Sequence, residues 1–154
     1  MVVSGTRQLT ATVAPSDAYQ SVTWSTSSAA IATVNASGLV TAVANGTATI
    51  TATSTVDGTI KGTSTVTVTT AVTGVTVAPT TASIAVDATQ QLTPTVAPAG
   101  ASNKAVTYSS SATGVATVNA SGLVTGVAAG TATITVTTTD GAKTATSAIT
   151  VTAP

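Results

Sequence analysis

The sequence predicts an all-β protein made of two tandem β-sandwiches, and three observations carry that prediction. One ten-residue phrase, ATVNASGLVT, occurs at Ala32–Thr41 and again at Ala116–Thr125. Around it an ordered set of matches repeats at an offset of 83 or 84 residues. Within each copy, apolar and polar residues alternate with a period of two, which marks strands with one wet face.

The matches run in chain order. RQLTATVAP at Arg7–Pro15 pairs with QQLTPTVAP at Gln90–Pro98, and SVTWS at Ser21 pairs with AVTYS at Ala105. NGTATIT at Asn45 pairs with AGTATIT at Ala129, and STVTVT at Ser64 pairs with SAITVT at Ser147. The one-residue slips fall in loops near Asn103 and Asp57. A period this long is one domain duplicated rather than a solenoid, whose repeats run to about 20–50 residues. The expected boundaries are 1–70 and 71–154.

Each copy then resolves into short strands. MVV serves as the second half of a leading strand, matching IAV at Ile84. QLTATV and VTWS follow, each with alternating apolar positions. ATV and LVT are two short strands, and NASG reverses the chain between them. Asn35 and Ser37 have side chains that bond nearby backbone, and Gly38 takes positive φ without steric cost. TATITAT places Ala48, Ile50 and Ala52 on one face with Thr on the other, and TATITVT does the same with Ala132, Ile134 and Val136. STVTVT presents Val66 and Val68 together. Asp-Gly at Gly58 and Gly141 and Asn-Gly at Gly46 mark further turns. No segment has a helical period. Short strands at this spacing suggest a sandwich.

The ordered set of motifs resembles the group 2 bacterial Ig-like domain family over essentially the whole chain. In the second copy it rests on GVTVAP, QQLTPTVAP, VTYSSS, VATVNASGLVTGVAAGTATITVT and AITVT. In the first it rests on RQLTATVAP, VTWSTS, IATVNASGLVTAVANGTATITAT and STVTVT. The resemblance implies a seven-stranded-type Ig-like sandwich without the disulfide. It also implies a spacer, a displayed binding module or a virion decoration, as in bacterial surface proteins, adhesins and phage structural proteins.

The alignment also exposes a gap. Gln8 matches Gln91, so Met1 matches Ile84, and the first copy has nothing equivalent to VTGVTVAPTTAS at Val72–Ser83. The first copy is therefore expected to lack its leading strand. That leaves a sheet edge at Leu9, Ala11 and Val13 as a candidate strand acceptor. Three explanations stand: the missing strand lies upstream in a longer parent, a neighbouring subunit supplies it, or the sandwich tolerates its loss. The join TVTTAVTGVTV has no Pro and few linker residues, which predicts a stiff connection.

Composition excludes several functions. The 154 residues include four cations and four acids, for a formal net charge of zero. A neutral chain with scattered cations has no electrostatic footprint for nucleic acid. There is no Cys, so no disulfide or thiolate metal site forms. His and Glu are also missing, and most nucleophile–base schemes then lack a base. Thr supplies about a quarter of the chain, a bias that suits strands. No apolar run approaches the ~18 residues of a membrane helix, and one Trp and two Tyr cannot build the girdles of a membrane barrel. MVVSGTRQL lacks the basic start and apolar core of a signal peptide, so the expectation is a fragment, a processed product or a protein released by lysis, such as a phage structural protein.

Few residues are candidates for chemistry. Trp24 shares a face with Val22, and Tyr108 with Val106, so both are expected in the core rather than in a carbohydrate-stacking strip. Tyr19, in a loop, is the candidate for an exposed surface contact. Asp57 and Asp140 precede Gly in equivalent turns, and Asp17 and Asp87 stand apart. Calcium needs six to eight converging oxygens, which one Asp per turn does not supply. Asn35, Asn45 and Asn119 begin N-x-[ST] sequons but already have turn roles. The Thr ladders resemble ice-binding arrays, yet an Ig-type sheet is twisted rather than flat. No catalytic residue, metal site or cofactor is expected.

The functional expectation is a non-catalytic structural and display module on a phage virion or a bacterial cell surface. It would attach weakly to host-surface polymers or glycan, or act as a rigid spacer. The alternative is an accessory carbohydrate-binding module of a larger secreted enzyme. Expected partners are other structural subunits or parent-protein domains, with cell-surface polysaccharide as a candidate ligand and neither nucleic acid nor membrane insertion.

Overall fold

The computed structural model describes residues 1–153, and every regular element among them is a strand. The chain divides into two compact units, Met1–Thr70 and Ala71–Pro154.

The first unit contains β1 (Thr6–Gln8), β2 (Val22–Thr26), β3 (Ala32–Val34), β4 (Leu39–Ala42), β5 (Gly46–Ser54) and β6 (Lys61–Val68). They form two antiparallel sheets, ordered β1-β4-β3 and β2-β5-β6. The inward positions of β5 are the apolar ones: Ala48, Ile50 and Ala52 are buried, and Thr stands between them. Val66 and Val68 of β6 and Val40 and Ala42 of β4 complete the interior between the sheets. Full burial of a side chain such as Ile50 contributes about 1.5–3 kcal/mol.

The second unit contains β7 (Gly74–Ala78), β8 (Thr81–Ala85), β9 (Thr89–Gln91), β10 (Thr93–Ala97), β11 (Val106–Ser110), β12 (Ala116–Val118), β13 (Leu123–Gly126), β14 (Gly130–Thr138) and β15 (Thr144–Thr152). One sheet is β11-β14-β15-β8, in which β8 runs parallel to β15 from Ala148↔Thr81 to Thr152↔Ala85. The facing side is built from β12-β13-β9 and the pair β10-β7. Ile134, Val136, Ile149, Val151 and Leu92 fill the interior.

The duplicated residues take duplicated places. Ile50 and Ile134 are 1% and 0% exposed, and Val40 and Val124 are both 0% exposed. The units differ where the alignment leaves the gap. The first has no counterpart of β7, and of the parallel β8–β15 ladder it keeps a single bridge, Val2↔Thr69. That bridge is the equivalent of Thr152↔Ala85, and the amide of Val3 still donates to the Thr69 carbonyl at 2.9 Å. MVV therefore does act as the tail end of a leading strand.

Candidate functional site

The repeated NASG reversal is a structural device, and its geometry accounts for each letter. Asn35 Oδ1 accepts hydrogen bonds from the Ser37 amide at 3.0 Å, the Ser37 hydroxyl at 2.8 Å and the Leu39 amide at 2.9 Å. Asn119 does the same with Ser121 and Leu123 at 3.0, 2.7 and 3.0 Å. Gly38 and Gly122 both sit at φ +82°. A Cβ at Gly38 would lie 2.6 Å from the Leu9 carbonyl oxygen and 2.9 Å from the Trp24 ring; at Gly122 it would lie 2.7 Å from the Tyr108 ring. The glycine is needed for its backbone conformation and for the aromatic laid against it.

Trp24 and Tyr108 face inward, as their parity with Val22 and Val106 predicts, and each packs against its unit's core. They are half-buried rather than enclosed, so they sit at the margin of the core in which they are expected. Both lie on an outer strand of their sheet, β2 and β11. Burial nonetheless pushes the Tyr108 phenol above its ordinary pKa. Tyr19 is 68% exposed, so it is the exposed aromatic among the described residues.

The four acids do not converge. Among the described residues no cluster of three or more Asp, Glu, His or Cys is placed to hold a metal. Asp57 accepts from the amide and the hydroxyl of Thr59 at 2.8 and 2.7 Å, an Asx turn of the expected kind. The Thr59 hydroxyl, helped by its amide, holds the Asp57 carboxyl below its ordinary pKa. Asp140 behaves differently: Oδ2 accepts from the Val72 amide at 3.0 Å and so secures the entry to β7. The equivalence of the two turns in sequence hid that difference.

The first unit carries a groove of about 380 Å³. Leu9, Ala11, Val13, Trp24, Ile50 and Ala52 supply its apolar lining, and Ile60 to Ser64 form the opposite bank. It coincides with the place that β7 occupies in the second unit. There β7 pairs with β10 from Thr93↔Ala78 to Ala97↔Gly74 and buries Val77 to 5% exposure. In the first unit the segment equivalent to β10, Thr10–Ala14, forms no ladder.

Leu9, Ala11 and Val13 turn their side chains inward, and two of their amides are already bonded. The Leu9 amide donates to the Gly38 carbonyl at 3.0 Å, and the Val13 amide donates to Gln20 Oε1 at 2.8 Å. Gln20 Nε2 returns a bond to the Val13 carbonyl at 2.8 Å. Because backbone direction alternates along an extended chain, Thr10, Thr12 and Ala14 present their amides to the groove. These amides have no hydrogen-bond partner among the described residues. The open backbone groups thus belong to the even-numbered positions, which reasoning from sequence did not separate from the apolar ones. The clamp by Gln20 had no signal in the repeat, because the slip between copies falls near its loop.

The architecture is an all-β pair of Ig-type sandwiches without a disulfide. The chain belongs to the bacterial Ig-like domain (group 2) family, whose model matches residues 1–66 and 71–149. No functionally curated protein matches the sequence. Among solved structures, the chain is similar to surface layer protein SbsC, domains 1–6, at 26% identity and a TM-score of 0.50, over 87% of this chain and 20% of that one. It thus spans about one fifth of the length of that relative. The N-terminal four Ig domains of Dscam1 isoform 1.9 match at 11% identity and a TM-score of 0.54, over 98% of this chain and 42% of that one, a likeness of fold. A C-terminal fragment of intimin, solved with the intimin-binding domain of its translocated receptor, matches at 20% identity and a TM-score of 0.43, over 84% of this chain and 50% of that one.

Proposed function

We propose that the chain is a non-catalytic structural module displayed at a bacterial surface, where it spaces or presents the domains attached to it. The observation that carries this reading is the likeness to a surface layer protein across 87% of the chain, in a chain that belongs to the bacterial Ig-like group 2 family. The surface chemistry agrees with it. Outward positions on β5, β6, β14 and β15 are mostly Thr, Ser and Ala, which leave a neutral, strand-compatible face. The chain has no His, Cys or Glu to supply a general base, and its four Asp stand in separate turns. The finer reading is weak attachment to polymers of a host surface, made by exposed loop residues such as Tyr19.

Labelling intact producing cells with a membrane-impermeant amine reagent tests the location. Lys104 and Lys143 are exposed and should be modified before lysis. Modification only after lysis would overturn the cell-surface reading, and recovery of the chain in purified phage particles would transfer the same role to a virion.

A further inference from the structure

One strand edge is the same in both units. β2 and β11 are end strands of the sheets β2-β5-β6 and β11-β14-β15-β8. The second unit has both of its leading strands, β7 and β8, and β11 still ends its sheet, so this edge does not depend on the leading segment. Flanking bonds fix which backbone groups point outward. The Thr139 amide donates to the Ala105 carbonyl at 2.9 Å, and the Ser111 amide donates to the Thr133 carbonyl at 3.0 Å. Odd-numbered residues of β11 thus bond β14, and Val106, Tyr108 and Ser110 turn their amides and carbonyls away from the sheet. In the first unit the Thr55 amide donates to the Ser21 carbonyl at 3.1 Å and the Ser27 amide to the Thr49 carbonyl at 2.9 Å. Val22, Trp24 and Thr26 therefore face outward in the same way.

These outward backbone groups have no hydrogen-bond partner among the described residues. Nothing in the sequence guards them. VTWST and VTYSS contain neither Pro nor a charged residue, the usual protections of an edge, and each pairs with its inner neighbour without interruption. The neighbouring edge of the facing sheet is partly closed. In β12 the Ala116 amide donates to the Ala112 carbonyl at 3.0 Å, and the Ala116 carbonyl accepts from the Ser110 hydroxyl at 2.7 Å. In β3 the Ala32 amide donates to the Ser28 carbonyl at 3.0 Å.

We propose that β2 and β11 are self-association edges, at which a second copy of this chain adds an antiparallel strand. A two-fold axis at Tyr108 sets Val106 against Ser110 of the second copy, so that each open amide meets an open carbonyl. The outward side chains then opposed are Thr107 and Ser109, both exposed and neutral. Lys104 falls opposite Ala112 rather than opposite another cation. The same axis at Trp24 sets Val22 against Thr26, and exposed Thr23 against exposed Ser25. A second copy suits these edges better than a charged partner does. The edges hold no charge to match one, and copies of zero formal net charge do not repel each other. The gain is backbone hydrogen bonding with little apolar burial, which places the contact at the weak, reversible end of interfaces.

Sedimentation equilibrium of the intact chain, with amide exchange resolved by residue at the same concentrations, tests this. The mass should rise above that of the monomer as the concentration approaches about 1 mM. Exchange at Val22, Trp24, Thr26, Val106, Tyr108 and Ser110 should slow in step with the associated fraction. A variant with Thr23→Lys, Ser25→Lys, Thr107→Lys and Ser109→Lys sets like charges opposite each other and should associate more weakly by roughly tenfold. A control with Thr63→Lys, Thr65→Lys, Thr146→Lys and Thr150→Lys adds the same charge at exposed positions of β6 and β15, away from these edges, and should weaken association clearly less. All eight substitutions are at exposed positions, so each variant keeps its core. A mass that stays monomeric at about 1 mM would overturn the proposal. So would association that leaves the named amides unprotected, or equal weakening by the two variants.

Discussion

Leu9 and Leu92 occupy equivalent places in the two units, follow equivalent Gln residues and donate their amides to equivalent Gly carbonyls. Leu92 is 1% exposed, whereas Leu9 is only half-buried. Downstream of Leu92 the chain is strand β10; downstream of Leu9 a nearly identical sequence, TATVA against TPTVA, forms no ladder. The difference lies outside these residues, in the presence or absence of β7. Alternation and β-branching dispose a segment to be extended, but a strand is a relation between two segments, and one of the pair cannot create it. The first unit holds its unpaired segment by a substitute, the Gln20 amide gripping both backbone groups of Val13.

The largest test of this comparison truncates the two leucines. Leu92→Ala should cost about 2–5 kcal/mol, as for a buried leucine, and Leu9→Ala clearly less, because part of that side chain already faces the groove. Denaturant titration of each variant, with the affected unit followed by its resolved amide signals, measures the two costs. Equal costs would mean that the groove is closed in solution.

A smaller effect is expected where the units should respond alike. Gly38→Ala and Gly122→Ala each force a side chain into the left-handed region, at about 1–2 kcal/mol before any clash. Calorimetric melting of both variants should show similar losses. A Gly38 loss well below the Gly122 loss would sharpen the comparison, because it would show Leu9 and Trp24 yielding into the groove where Leu92 and Tyr108 cannot.

The smallest effect separates the paired acids. Asp57 is held below its ordinary pKa by Thr59. A lowered folded-state pKa means that its contribution is complete above the unfolded carboxylate value and is lost as pH falls through the folded one. Asp57 is fully exposed, so the effect is read as a titration, not as a melting change. In Thr59→Ala the Asp57 carboxyl should titrate nearer its ordinary value by NMR. An unchanged midpoint would remove the Asx turn as the cause.

Much of the fold was legible because the sequence is written twice. The alternation in TATITAT and TATITVT put the right residues inward, and NASG announced its own hairpin through Asn, Ser and Gly. The missing leading segment was legible too, by subtraction of one copy from the other. What could not be read is whatever depends on which partner a polar group takes: which backbone edge of Thr10–Ala14 stays open, the Gln20 clamp, and the divergence of Asp57 from Asp140. Those are set by which groups are already bonded, and a linear pattern of hydrophobicity carries no record of that.

The parallel pairing of β8 with β15 has a meaning under load. When a unit is pulled by its first and last strands, a parallel ladder between them is sheared, and its bonds must break together. The second unit meets that tension with five residue pairs, from Ala148↔Thr81 to Thr152↔Ala85. A pull on β8 and β15 therefore loads those five pairs together, and the second unit is expected to yield in one step rather than to unzip pair by pair.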